Sequence, residues 1–196
     1  MTTASKSDPR ELLRRSFAQS ASVIAGVTPD EMELSTPCTA FDVRALIGHM
    51  LFAADRIKSA GLREPLAEGT PTVTGLTDDE WAAAFDKAAA EALSAWSVPG
   101  ALAGDVVLPF GTFPSPVVVS MYSMEQVTHS WDLAVATGSS VELDSELAEA
   151  MLPLAMQMVP PEIRVGEEAP FAPVVEVAAD APPYDRLAAF LGRRPV

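Results

Sequence analysis

Only two histidines occur in the 196 residues, His49 and His129, and each falls in a stretch whose apolar residues recur at helical spacing. Glu125 stands four positions before His129, so at about 100° per residue their side chains share one helix face, a turn apart. Two neutral imidazoles and a carboxylate make the open ligand set of catalytic zinc, which leaves room for water or substrate; nickel and iron(II) accept the same donors. With 27 acidic residues in the chain, however, a carboxylate often lies three or four places from a histidine by chance. A core or boundary imidazole hydrogen-bonded to an acid has the same spacing, and on spacing alone both readings stay open.

Asp132, three places after His129 and on nearly the same face, is suited to orient an imidazole from behind or to handle protons. Arg56, seven after His49, shares that residue's face and could receive an anionic group, although a solvated surface arginine fits equally. Tyr122, three before Glu125, is a further candidate acid, or simply buried. The one cysteine, Cys38, follows Pro37 just ahead of a helical stretch and reads as a packing or capping residue more than a nucleophile. It excludes an internal disulfide and a cysteine-rich zinc cluster, and suits a reducing, cytoplasmic compartment. No glycine-rich phosphate loop and no G-x-S-x-G elbow is present, which argues against nucleotide-driven and serine-hydrolase chemistry.

These residues need helices to hold them. Asp8 and Pro9 read as an N-cap and first-turn proline for a helix over 8–25, and Thr39 or Asp42 can cap a second that runs to about residue 60 and carries His49. Glycines, prolines and threonines without periodicity make 61–75 an exposed connection. The capping sequence of Thr77, Asp78, Asp79 and Glu80 opens a third helix over 81–96, with Trp81, Phe85, Ala92 and Trp96 on its apolar face. Alternation over 105–113 suggests a short hairpin or extended crossover. Pro116 opens a helix over 117–137, closed by Gly138, that carries Glu125 and His129. Asp144 caps another to 158, and 185–191 forms a short terminal helix. The expected architecture is an all-α bundle of four long helices with an additional short helix and a small extended or hairpin crossover, a single domain over 1–196 with the tail from 160 packed on the bundle.

The formal charge of -14, from 13 basic and 27 acidic residues, repels phosphate backbones and anionic headgroups, so nucleic acid and membrane surfaces are unlike partners. No stretch approaches the roughly eighteen unbroken apolar residues of a membrane span, and the first fifteen residues are too polar for a signal peptide. A small-molecule substrate is expected, and acidic bundles of this kind can form homodimers.

The run Thr36-Pro37-Cys38-Thr39-Ala40-Phe41-Asp42-Val43-Arg44-Ala45-Leu46-Ile47-Gly48-His49 resembles the T-P-C-x-x-W-D-V-x-x-L-x-x-H stretch of the mycothiol-dependent maleylpyruvate isomerase-like proteins of the DinB superfamily. Glu125, His129, Trp131 and Asp132 are similar to that family's acid-x-x-x-His-x-W-D segment, and the stretch from Arg186 to Arg193 extends the likeness towards the C-terminus. Phe41 stands where the family often has Trp, a change that keeps the volume. The resemblance implies a DinB-like four-helix bundle with His49, Glu125 and His129 as metal ligands, zinc first among the metals. It also implies a short form without the additional C-terminal domain of the isomerases. Three functions follow as expectations. The first is an enzyme whose metal activates a mycothiol-like thiol for transfer or isomerisation, with Arg44 and Arg56 as positive groups for the co-substrate. The others are a thiol-independent metal-dependent hydrolase or isomerase using Asp132, and a non-catalytic metal or small-molecule binder.

Overall fold

The computed structural model describes residues 8–69, 72–165 and 171–195. It contains six α-helices, α1 (Pro9–Ala25), α2 (Val43–Leu62), α3 (Trp81–Ser97), α4 (Ser115–Thr137), α5 (Ser145–Met158) and α6 (Pro183–Phe190), and a hairpin of β1 (Asp105–Leu108) and β2 (Gly111–Pro114) between α3 and α4. Parts of the expected 61–75 connection and of the C-terminal tail, at 70–71, 166–170 and 196, lie outside the described residues, as do residues 1–7 of the N-terminal segment.

The helices begin where short acidic side chains satisfy free backbone amides. Asp8 accepts from the amide of Arg10, Asp42 from that of Ala45 and Asp144 from that of Glu146. Asp42, not Thr39, therefore starts the helix that carries His49. Helix α4 ends on Gly138 in the left-handed conformation (φ 60°), as the sequence predicts. The hairpin is antiparallel, pairing Asp105 with Pro114 and Leu108 with Gly111, and Pro109 sits in the turn, where its missing amide is not needed.

α1 packs along α4 and α3 along α2, while α5 and α6 pack together beside α4. One apolar cluster fills the space among α1, α2, α3 and the hairpin, with Leu13, Phe17, Leu46, Ile57, Phe85 and Trp96 at its centre. A second, around Val127, Trp131, Leu147, Met151 and Leu187, joins α4 to α5 and α6. Helix α4 lies between them and is buried along most of its length, so its polar residues must find internal partners. Ser123 and Thr128 donate to carbonyls one turn back, and Ser130 accepts from Gln19 of α1 at 2.6 Å. Among the described residues no helix is long and apolar enough to cross a membrane.

The connection after α2 differs from expectation in two ways. It starts later, because Gly61 packs closely against Ala95 and Trp96 of α3, and α2 continues to Leu62. Arg63 then closes the helix at φ 61°, and its guanidinium donates to the carbonyls of Ala60, Ala101 and Ala103. The connection is mostly exposed, as expected, but it is tied to α2 at one point. The amide of Val73 donates to the carbonyl of Gly48 (3.0 Å) and the Thr72 hydroxyl to that of Ala45 (3.0 Å). At the other end of the chain α6 begins at Pro183, two residues before its expected start.

A Cβ at residue 48 would collide with Thr72 and with the carbonyl of Val73. Gly48→Ala is therefore expected to lower stability by about 1–3 kcal/mol in urea denaturation. Unchanged stability would mean that the 72–73 segment is not seated on α2 in solution.

Candidate metal centre

Helix α2 delivers His49 two turns after its Asp42 cap, and α4 delivers Glu125, His129 and Asp132 from one face. Their side chains meet. His49 Nε2 lies 3.0 Å from Glu125 Oε1, and His129 Nε2 lies 4.0 Å from the same oxygen. The two imidazoles stand edge to face, ring centres 5.0 Å apart at 89°. One donor atom from each of the three side chains falls within 4.8 Å of the other two. Phe41 stacks on His49 (4.8 Å, 21°) and covers one side of that ring. The imidazole of His129 is nearly buried at 9% exposure, whereas the Glu125 side chain keeps 37%, so the cluster opens to solvent on its carboxylate side.

Behind His129 lies Asp132, with no solvent exposure. Its Oδ2 is 2.9 Å from His129 Nδ1 and accepts from Arg193 at 3.0 Å, while its Oδ1 accepts from the Arg193 Nε at 3.2 Å. Desolvation pushes the Asp132 carboxyl up, but the His129 hydrogen bond and the Arg193 charge outweigh it and hold the group below its ordinary value. An ionised Asp132 can only accept, so His129 Nδ1 carries a proton, and Nε2, on the side of Glu125, is the nitrogen that would give up its proton to a metal. Glu125 is treated similarly. Desolvation opposes its charge, yet the His49 hydrogen bond and the charges of His129, His49 and Arg193 bring its carboxyl down to about 2. Two imidazole nitrogens, one with its tautomer set from behind, and a permanently ionised carboxylate fit a divalent cation of the zinc, nickel or iron(II) kind.

The other expected residues lie off this cluster. Tyr122 is partly buried one turn before Glu125; burial pushes its hydroxyl up to about 12, against a smaller pull from Arg56 and together with a push from Glu125. Arg56 rests over the Phe52 ring (5.6 Å) and has no carboxylate partner among the described residues. Arg44 is not available to a ligand, because it is paired with Asp78 ahead of α3. Cys38 approaches from the loop before α2, one of a second group with His129 and Asp132 whose atoms lie within 4.8 Å. Burial pushes its thiol up against the pull of Arg193, which leaves it a poor nucleophile. Sequence reasoning assigned no role to Arg193. Its partner Asp132 is 61 positions away, and the only signal was its place at the end of the C-terminal likeness.

Residues 13–134 match the family described as mycothiol maleylpyruvate isomerase N-terminal domain. Uncharacterised proteins from two strains of Mycobacterium tuberculosis are 35% identical over 188 residues, 95% of this chain and 98% of each relative. Among solved structures, a point mutant of the mycothiol-dependent maleylpyruvate isomerase superposes with a TM-score of 0.62 at 18% identity, over 89% of this chain and 77% of that one. A second structure of that enzyme gives 0.56 at 18% identity, over 79% and 70%. This likeness extends to the arrangement of the helices.

Arg193→Ala would strand the buried Asp132 charge and is expected to cost about 3 kcal/mol in urea denaturation, with Asp132→Asn in the same chain recovering part of the loss. Additive losses would show that the two are not paired. The lowered Glu125 carboxyl also predicts an acid response of the metal-free protein. Its stabilising contribution is complete above about pH 4.5 and is lost as pH falls towards about 2. Glu125→Gln should flatten the acid unfolding curve in that window when followed by circular dichroism; an unchanged slope would contradict the assigned ionisation.

Proposed function

The chain belongs to the mycothiol maleylpyruvate isomerase N-terminal domain family, and from that premise we propose that it is a metal-dependent enzyme that presents a mycothiol-like thiol to an electrophilic substrate, for transfer or isomerisation. The observation that carries this reading is the convergence of His49, Glu125 and His129 from two helices, open to solvent on the Glu125 side. These three would hold a divalent metal, with zinc the first choice. Bound there, the metal supplies a Lewis acid that favours the thiolate form of a small thiol.

The protein's own groups prepare the site. Asp132 holds a proton on His129 Nδ1, which leaves Nε2 as the nitrogen for a metal. Glu125, ionised far below neutrality, adds negative charge that compensates a cation. Phe41 shields one face of His49 from water. Tyr122 keeps its proton through the physiological range and serves as a hydrogen-bond donor to a substrate oxygen, not as a base. A thiol-independent hydrolysis that moves protons through Asp132 is disfavoured, since that carboxylate is fully buried and held by both His129 and Arg193. A purely structural metal is disfavoured by the exposed side of the cluster. Because α4 is shared by both apolar clusters, we read the chain as one domain. A cytoplasmic location suits the free Cys38 and a reduced thiol co-substrate.

The test is turnover of maleylpyruvate and of a thiol-reactive electrophile panel with mycothiol present or omitted, before and after chelation. We expect about one metal per chain, turnover that needs both metal and thiol, and a loss of at least about a hundredfold in His129→Ala. Turnover indifferent to chelation would overturn the metal role, and turnover indifferent to mycothiol would overturn the thiol role.

A further inference from the structure

A groove of about 610 Å3, a size suited to a small molecule, runs between the C-terminal part of α2, the segment after it and strand β1. Arg56 lines it. Seven residues after His49, Arg56 lies on the same face of α2 and about 10 Å further along the axis. The Tyr122 hydroxyl feels both Arg56 and Glu125, so one side chain bridges the field of the groove and that of the metal centre. Arg56 therefore sets the near end of the groove about two turns of α2 from His49.

Its chemistry is mixed in a particular way. Arg56 brings a guanidinium without a carboxylate partner, and its Nε is buried with no hydrogen-bond partner, a costly state for a polar atom. Arg63, which also lines the groove, is already committed to backbone carbonyls and to Ser115. Glu64, Glu68 and Asp105 line it as well, and none of them is ion-paired among the described residues. Leu66 and Leu108 add aliphatic surface. An anion would face three carboxylates, a cation would face Arg56, and an apolar molecule would take water from these charged groups without replacing its hydrogen bonds. A neutral ring rich in hydroxyls meets every requirement: its O–H groups donate to carboxylates, its oxygens accept from the guanidinium, and its C–H faces lie against the leucines.

We propose that this groove binds the sugar and cyclic-polyol portion of the thiol co-substrate, with the cysteinyl arm directed along α2 towards the metal centre. The assignment rests on the thiol reading above and adds where that molecule is recognised. Mycothiol is a cysteinyl amino sugar joined to inositol, uncharged apart from its thiol, which explains how a chain of charge -14 can present acids to it without repulsion. A ligand anchored by hydroxyls at Arg56 has about 10 Å to cover before its sulfur reaches His49, the task of the cysteinyl arm.

The test uses the zinc-loaded full chain and three probes: mycothiol, its thiol-free glucosaminyl-inositol fragment, and N-acetylcysteine. We expect the fragment to shift the methyl NMR signals of Leu66 and Leu108. Arg56→Gln and Glu68→Gln should each weaken mycothiol binding by about tenfold in calorimetry while leaving N-acetylcysteine binding unaltered. Mycothiol binding equally tight in both variants, or a fragment that leaves the groove methyls unmoved, overturns the assignment, and so does an equal loss of N-acetylcysteine binding. The two levels separate cleanly. Thiol-dependent turnover with no groove response removes the groove and keeps the thiol reading; groove shifts from the fragment with no thiol-dependent turnover keep the polyol site and remove thiol activation.

Discussion

A carboxylate with no access to water must be paired from within, and Asp132 is paired from two directions. His129 donates to it along α4, and Arg193 brings a positive charge from beyond α6. Breaking either contact leaves a charge in a desolvated place, a penalty of several kcal/mol against a total folding stability of about 5–15. The pairing therefore ties the C-terminal segment to the middle of α4. It also decides which nitrogen of His129 carries the proton, and with it the direction of the remaining lone pair. Glu125 and His49 stand on that side, so a contact that serves packing on one face of the imidazole prepares coordination on the other.

The rest of the fold is arranged to permit the close approach of α2 and α4 that this requires. Helix α4 is enclosed by both apolar clusters, and most of its buried polar residues are satisfied by a carbonyl or a neighbouring helix, although the Gln126 Oε1 has no hydrogen-bond partner among the described residues. On the outer side of α2, the residue before His49 is a glycine, and Thr72 and Val73 are laid directly against it. That contact fixes the turn of helix bearing the histidine. The hairpin fills the end of the first cluster through Val106 and Leu108 and at the same time forms one wall of the groove beyond Arg56.

Much of this can be read from local sequence, because local chemistry determines it. The Asp8, Asp42 and Asp144 caps, the Gly138 stop and the apolar period locate the helices within a residue or two. Alternation over 105–113 locates the hairpin. His49, Glu125 and His129 are candidates by their rarity and spacing, the family resemblance groups them as ligands, and the structure brings those three together. What escapes is set by tertiary approach. Arg44 and Arg56 look equivalent as positive residues on one helix, yet Asp78 neutralises the first and nothing described neutralises the second. The Arg193 and Asp132 pair spans 61 positions and has no periodic signature. The docking of Thr72 and Val73 on Gly48 is equally silent, since a threonine and valine in a proline-rich stretch show no sign of what they will touch.

Two overlapping donor groups share His129, one with His49 and Glu125, the other with Cys38 and Asp132. The second is compromised by its own electrostatics: Asp132 is spent on Arg193, and the Cys38 thiol is pushed away from the thiolate that a metal needs. The first has a set tautomer, an ionised acid and an open side. X-ray absorption at the zinc edge of the metal-loaded protein, without added thiol, separates them directly. The account predicts two imidazoles with oxygen in the first shell and no sulfur; a sulfur scatterer at about 2.3 Å, or fewer than two imidazoles, would contradict it.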